Sequence, residues 1–456
     1  MSLAARSAVL AALVACVLAG AAGAVIMEEV GPLAGLALAV GAAVTVLVAR
    51  QPILGAQLAL LAVPLEFFSI RLGGDAGLSA SEIVLILTAA AAVARWTLTG
   101  TAPAVPGPLR ALGALCVVIL VGYTVAEDEL IVTKILLMWS AFAIVGVLVA
   151  NSERRDLERL MACLAIAGGV AGFVAAAGGA DQSLQEGGLI ATGRAQAGFA
   201  QPNILGFFLV MSIPAALVLT MRGRPAMRAL MTLMAVGGGW GLMLSLSRTS
   251  LVGTALGLGV LLLIPRFRRL GAVALAALAI FVLVNFKALQ ESQQIAVVSE
   301  RLATLGRSDV VQSDPRLRIY ETTPSIVGDH PVLGVGAGNY SVVAVRYGVL
   351  DEDHHPFDHA HNVPLTIAAE LGLVGLLVFG WFIVTLAPMV WRAILARGDP
   401  AVGALLLAIA AAMIGSIVTS MGDYPPRTNV IAATFIALVG ALAGLLRDAD
   451  QRSSSS

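Results

Sequence analysis

Residues 203–269 read NILGFFLVMSIPAALVLTMRGRPAMRALMTLMAVGGGWGLMLSLSRTSLVGTALGLGVLLLIPRFRR. Three apolar runs stand out, 203–221, 228–246 and 249–265. Each approaches the ~20 residues that an α-helix needs to cross ~30 Å of hydrocarbon. The punctuation between them is of two kinds. Arg222, Arg224 and Arg228 separate the first pair, and Arg266, Arg268 and Arg269 close the third run. The second and third runs are joined only by Ser245-Leu246-Ser247-Arg248-Thr249-Ser250. Basic residues collect in short cytoplasmic connections, so the arginine-rich turns face the cytoplasm and the serine hairpin faces away.

The whole chain carries this signature. Of its 456 residues 59% are hydrophobic and 12% charged, against about 25% charged in a soluble domain. Mean hydropathy is +0.92. Formal net charge is zero, which excludes the basic surface of a nucleic-acid binder. Cys16, Cys116 and Cys163 all sit in apolar runs without metal-ligand spacing, as small buried hydrophobes do.

Reading outward from 203–269 gives further candidate spans at 7–27, 31–49, 52–69, 79–97, 110–126, 131–150, 158–178, 270–286, 363–390, 401–421 and 428–446. The segments 31–49 and 52–69 are separated by little more than Arg50-Gln51, so the expectation is about 12–14 spans. The N-terminus has a lipoprotein-like box at Leu13-Val14-Ala15-Cys16. Its apolar stretch continues to Met27, and it is read as a membrane helix. Alternation from a cytoplasmic N-terminus places most of the 28 basic residues inside, and both termini with them. Short connections on the other side are acidic or neutral, as at Glu28-Glu29 and Glu127-Asp128-Glu129.

The predicted fold is therefore all-α, a polytopic transmembrane helical bundle with one long periplasmic loop carrying short surface helices. Its parts are 1–178 (N-terminal spans), 179–286 (a core with arginine-bearing outer loops), 287–362 (the long loop), 363–446 (C-terminal spans) and 447–456 (a cytoplasmic tail). Surface helices are expected at 315–328 and 338–347, and Ser453–Ser456 is expected to be disordered.

Polar groups at membrane depth are costly and call for a reason. Four groups fall on the outer side. Arg194 lies in a glycine-rich stretch, 193–203, just before a helix opening near Asn203. Such a place suits an anion, or an arginine that snorkels to the interface. Arg248, with Ser247 and its neighbouring hydroxyls, sits in a turn so short that its charge stays at the membrane edge. It calls for a counter-ion or phosphate, or serves as an anchor. All five histidines, His330, His354, His355, His359 and His361, lie in the long loop, four of them within 354–361. With Asp351, Asp353 and Asp358 they suit a divalent metal, or one of them suits a general base. The spacing fits no closed zinc motif.

The fourth group is Asp314-Pro315-Arg316-Leu317-Arg318-Ile319-Tyr320, followed by Gly334-Val335-Gly336-Ala337-Gly338-Asn339. The glycines lack the strand–turn–helix setting of a dinucleotide site and read as tight turning beside a surface helix. Arg316 either joins the anion site or pairs along its own helix.

His361-Asn362, nine residues, then Gly372-Leu373-Val374-Gly375 resembles the signature of the O-antigen ligase and polymerase superfamily. Pro202-Asn203 opening a span, the Ser-Leu-Ser-Arg-Thr-Ser hairpin and Asp-Pro-Arg-Leu-Arg-Ile-Tyr fall in the matching order, over roughly 190–445. After Gly375 the chain has Leu376-Leu377 where ligases carry small hydroxyl residues. The resemblance implies an inverting, metal-independent glycosyltransferase of the inner membrane, without cofactor. Its donor would be an undecaprenyl-pyrophosphate-linked glycan, and its acceptor a glycan or lipid A-core. It further implies Arg194, Arg248 and Arg316 on the donor pyrophosphate, and His361 as the base with His359 as its rival. Asn203, Ser247, Asn362 and Glu370 would be supporting groups.

Two other readings compete. A polymerase of the same superfamily differs in its acceptor, which nothing in the sequence identifies. A non-catalytic lipid-glycan transporter predicts polar or broken spans near the midplane, often in repeated halves. Here the spans are almost uniformly Ala, Leu, Val and Gly with no duplication, which favours an enzyme.

Overall fold

The computed structural model describes residues 32–65, 69–71, 77–178, 195–265, 267–284, 315–348, 357–396 and 399–455. The predicted span 7–27, Arg194, His354 and His355 lie outside them. The helices are α1 (Pro32–Arg50), α2 (Pro52–Ala62), α3 (Ala80–Thr99), α4 (Gly107–Val121), α5 (Glu129–Ala150), α6 (Arg154–Gly178), α7 (Pro202–Leu219), α8 (Pro225–Ser245), α9 (Arg248–Leu262) and α10 (Arg268–Val284). The short α11 (Pro315–Asp329) and α12 (Tyr340–Ala344) precede α13 (Val363–Leu395), α14 (Pro400–Ser420) and α15 (Asn429–Ser455). One small hairpin, β1 (Ser69–Arg71) with β2 (Gly77–Ser79), precedes α3.

Among the described residues nine helices are long and apolar enough to cross a membrane. The protein is a multi-pass helical membrane protein, as composition requires. Two expected spans come out short. The run 52–69 ends as helix at Ala62 and gives way to a 3-10 turn, Val63–Leu65, because Pro64 removes a backbone donor. The run 249–265 stops at Leu262, ahead of Pro265; its 15 residues rise only ~22 Å. At the C-terminus the expected disorder is replaced by helix as far as Ser455. Ion pairs of Arg392 with Asp450 at 2.7 Å and of Arg452 with Asp448 at 3.1 Å hold those last turns.

Lipid tails are as apolar as leucine, so these helices associate by close packing. The α6–α8 contact is close, backbone on backbone: a Cβ on Gly172 would lie 1.9 Å from the Gly237 carbonyl oxygen. The α9–α14 contact is similar, with a Cβ on Gly257 at 2.5 Å from the Ala411 carbonyl oxygen. Helices α7, α14 and α15 are the most enclosed, and large exposed side chains such as Leu377, Val384 and Trp391 line the outside of α13.

The two ends of the bundle differ chemically. One carries a network in which Arg154 meets Glu158 at 3.0 Å and Asp399 at 2.6 Å, with Arg222 on Glu158 at 3.1 Å. The other carries the histidines. There α11 and α12 fall where surface helices were expected, around a small core of Ile319, Ile326, Tyr340, Val343 and Ala360. Asn339 docks this unit on the α4–α5 connection by accepting from the backbone N–H groups of Glu127 at 3.1 Å and Asp128 at 2.7 Å. Arg346 forks onto the Glu127 carboxylate at 2.7 and 2.5 Å.

Helix α13 is broken at Gly372, whose φ of +63° and ψ of −158° suit glycine alone. A break leaves amides and carbonyls that lipid cannot satisfy. The glycine turn supplies the partners: Val335 N–H donates to the Ala369 carbonyl at 3.0 Å and Gly336 N–H to that of Glu370 at 2.9 Å. Below the break, Leu373 N–H donates to the Pro331 carbonyl at 2.9 Å.

Candidate functional site

The nine-residue piece of α13 above Gly372 starts at Asn362, which caps it by accepting from Leu365 N–H at 3.0 Å. The Asn362 side chain also donates to the Met421 carbonyl at 3.1 Å, drawing the α13 start against the α14–α15 connection. That connection carries Asp423. His361 Nδ1 lies 3.2 Å from Asp423 Oδ1, and His359 Nε2 lies 3.5 Å from the same atom. The other oxygen, Oδ2, accepts from Asn203 Nδ2 at 3.2 Å, at the start of α7. Tyr424 N–H donates to Oδ1 at 2.8 Å. Three elements distant in sequence thus converge on one carboxylate.

Burial separates the two histidines. The His359 side chain is 7% exposed and that of His361 20%. His359 is enclosed by His361 and Tyr424, with ring centroids 4.3 and 5.4 Å away. With Nδ1 engaged by Asp423, His361 presents Nε2 as its second ring nitrogen. Its backbone has φ +49°, a strained value for a non-glycine residue. Its carbonyl accepts from the Tyr320 hydroxyl of α11 at 3.2 Å.

Electrostatics follow from these contacts. Burial alone pushes the Asp423 carboxyl up, but hydrogen bonds from His359 and His361 outweigh it and hold the group well below the usual carboxylate range. Burial pushes the neighbouring Tyr424 phenol up.

The hairpin of Arg248 packs directly beside this cluster. A Cβ on Gly422 would lie 2.8 Å from Thr249 Cγ2. The Thr419 hydroxyl reaches the Thr249 carbonyl at 3.5 Å. Ser247 stands at the N-cap position of α9, and its hydroxyl lies 2.9 Å from that of Ser250, both buried. Ala195 N–H donates to the Leu244 carbonyl at 3.0 Å, so the segment before α7 covers the same hairpin.

His359, His361, Asn203, Asn362 and the Ser247–Arg248 turn are therefore brought together. Glu370 is placed differently. It is buried, and its carboxylate accepts from the backbone N–H groups of Gly338 and Tyr340, fixing the glycine turn. Arg194 and the Arg316 side chain lie outside the described residues. Asp423 is the residue that sequence reading passed over. Its only signal is an acid in the short connection Met421–Arg427, on the histidine side by alternation of spans.

His359, His361 and Asp423 each offer a ligand atom, and the three lie within 4.8 Å of one another. Their composition suits a divalent cation. The same atoms also satisfy one another as ring N–H donors and carboxylate acceptor, an arrangement that requires no ion.

Residues 230–380 match the O-antigen ligase family. The matched stretch runs from α8 through the Arg248 hairpin and the histidines to the break in α13, and contains Glu370. This stretch is similar to the family, which in general works on lipid-linked glycans. Asn203 and Asp423 lie outside the match and are joined to it by folding. No curated protein matches the chain.

Proposed function

We propose that the protein is an inverting, metal-independent glycosyltransferase of the O-antigen ligase type. It moves an oligo- or polysaccharide from undecaprenyl pyrophosphate to an acceptor hydroxyl on lipid A-core, at the periplasmic face of the inner membrane. The observation that carries this reading is the His361–Asp423 contact beside the Arg248 hairpin. In this reading His361 and the Arg248 guanidinium serve one space at the end of the bundle.

In this reading Asp423 accepts from His361 Nδ1–H and fixes the tautomer whose Nε2 is basic. Nε2 takes the proton of the acceptor hydroxyl as its oxygen bonds to the anomeric carbon. The bond from that carbon to the pyrophosphate oxygen breaks, and its electron pair leaves with undecaprenyl pyrophosphate. Attack from the face opposite the leaving group inverts the anomeric centre. A positioned base contributes typically ~10²–10⁴-fold. Arg248, together with Arg194 and Arg316, meets the charge that develops on the pyrophosphate.

The test uses purified protein, an undecaprenyl-pyrophosphate-linked glycan and two acceptors, lipid A-core and a second lipid-linked glycan. Release of undecaprenyl pyrophosphate with glycosylated lipid A-core, lost in His361→Ala and Arg248→Ala, is expected. Elongation of the second lipid-linked glycan instead would make the protein a polymerase. Binding without turnover by either route, unchanged in both variants, would remove the transferase reading.

A further inference from the structure

The segment that carries the histidines and the connection that carries Asp423 meet in a fixed register. Asn362 donates to the Met421 carbonyl at 3.1 Å, His361 Nδ1 lies 3.2 Å from Asp423 Oδ1, and Asp358 pairs with Arg427. Residue numbers fall along one segment as they rise along the other, so the two run antiparallel. A side chain makes each of these contacts. The His361–Asp423 contact is thus bracketed, by Asn362 on one flank and by the Asp358–Arg427 ion pair on the other.

The two flanks differ. Asn362 also caps α13, so its contact belongs to the start of that helix. In the ion pair each side chain is 46% exposed, and a pair so wetted adds little to the stability of the fold. Yet both of its arms are stiff. Pro425 and Pro426 restrict the backbone between Asp423 and Arg427. The 3-10 turn Pro425–Arg427 is closed by Arg427 N–H on the Tyr424 carbonyl at 3.2 Å and Thr428 N–H on that of Pro425 at 3.1 Å. On the facing segment Ala360 is buried, and its N–H donates to the Thr366 hydroxyl at 3.2 Å. A contact that is weak for the fold but mounted on two rigid arms is suited to holding position. Asp358 and Arg427 also line, with Tyr424, the mouth of a largely apolar cavity of about 630 Å³, which puts them within reach of a bound headgroup. That role would show as lost affinity, whereas positioning shows as lost turnover.

We propose that Asp358 and Arg427 are positioning residues for His361. Their ion pair sets the register in which the imidazole meets Asp423, and neither residue touches the reacting atoms. The assignment rests on the transferase reading above and adds what keeps its base in place. Without the pair the histidine segment can shift along the connection, and a misplacement of about 1 Å can cost ~10²-fold in rate.

The test takes the full chain in nanodiscs through a double-mutant cycle of Asp358→Asn, Arg427→Gln and the two together. Each single variant is expected to lower kcat by at least roughly tenfold, with KM for donor and acceptor within about twofold. The double variant should be no slower than the slower single, because each residue acts through the other. A raised KM with kcat unchanged makes the two residues headgroup contacts and overturns the assignment. Unchanged kinetics, or losses that simply add, overturn it as well. A second readout needs no turnover. In ¹⁵N-histidine-labelled protein at about pH 8, where an ordinary imidazole is neutral, the nitrogen shifts distinguish an Nδ1–H ring from an Nε2–H ring. His361, assigned by the signals that His361→Ala removes, is expected as the Nδ1–H tautomer in the wild type. It should move toward Nε2–H in either single variant, while unchanged His330 signals show an intact fold. A tautomer that stays put overturns the assignment even where kcat falls. If the wild type turns over no acceptor, the transferase reading fails, and the His361 tautomer still decides whether the ion pair sets this register.

Discussion

His361 is held from three directions: a left-handed backbone, a Tyr320 hydroxyl on its carbonyl, and Asp423 at Nδ1. So much restraint on one ring is what a positioned base requires. His359 shares the same carboxylate but is more deeply enclosed, and we propose a packing role for it. His361→Ala should lower kcat by ~10²–10⁴-fold, and His359→Ala by clearly less; the reverse order in a transfer assay would exchange their roles. Transfer should survive a strong chelator, and its loss with recovery on adding zinc would turn His359, His361 and Asp423 into metal ligands. Asp423 is coupled to pH through its contacts with the two histidines. Its folded pKa is depressed, so its contribution to stability is present above the ordinary carboxylate value of ~3.9 and lost only as pH falls through the lower folded value. Between pH 5 and 8 it stays ionised. Asp423→Asn should therefore lose ~10²-fold or more in kcat by a constant factor over that range. A defect that fades toward pH 5 would show that the carboxylate titrates there. The histidines were legible as a cluster because four of them fall within eight residues. Asp423 was not, because one acid between two spans resembles any solvated turn until folding sets it under two imidazoles.

Helix α13 shows where hydropathy stops being informative. Its 33 residues read as a single long span. The break at Gly372 and the glycine turn that covers it are one device, since each supplies the other's missing backbone partners. The turn 334–338 was readable as tight turning, and Gly372 as part of a motif. Their pairing across more than 30 residues was not, because backbone hydrogen bonds leave no side-chain pattern. Gly372→Ala tests the device. A Cβ there would lie 2.4 Å from the Val332 carbonyl, and the backbone is in a region that only glycine adopts without strain. The strain alone should cost about 1–3 kcal/mol, read as a lower thermal unfolding midpoint in nanodiscs together with reduced transfer. An unchanged midpoint would mean that the break is not needed to hold the upper part of α13. The short α9 makes the same point in reverse: an apolar run long enough to span ends early because Pro265 follows it.

At the scale of the molecule, the chain separates its charges by end. Arg154, Arg222, Asp399 and Arg452 gather at one end, and the histidines, Asp423 and Arg427 at the other. From the inside bias of basic residues we propose that the first end is cytoplasmic. Green fluorescent protein joined after Ser456 should fluoresce, and alkaline phosphatase inserted after Gly348 should be active. The opposite pair of results would put the histidines in the cytoplasm, away from any periplasmic acceptor. Composition and apolar run length alone determined a multi-pass helical protein, since continuous apolar runs of this length satisfy their backbone in lipid as helices, whereas barrel strands are short and alternate. The order of the arginine hairpin and the histidine–asparagine motif also carried the resemblance to the O-antigen ligase and polymerase superfamily. Only the tertiary structure decided which polar groups meet. It joined Asn203, His361 and Asp423 across more than 200 residues and set the Arg248 hairpin against them. The physical reason is that apolar patterning fixes which segments enter the membrane, whereas glycine-mediated close packing and capping hydrogen bonds fix which of their ends stand side by side.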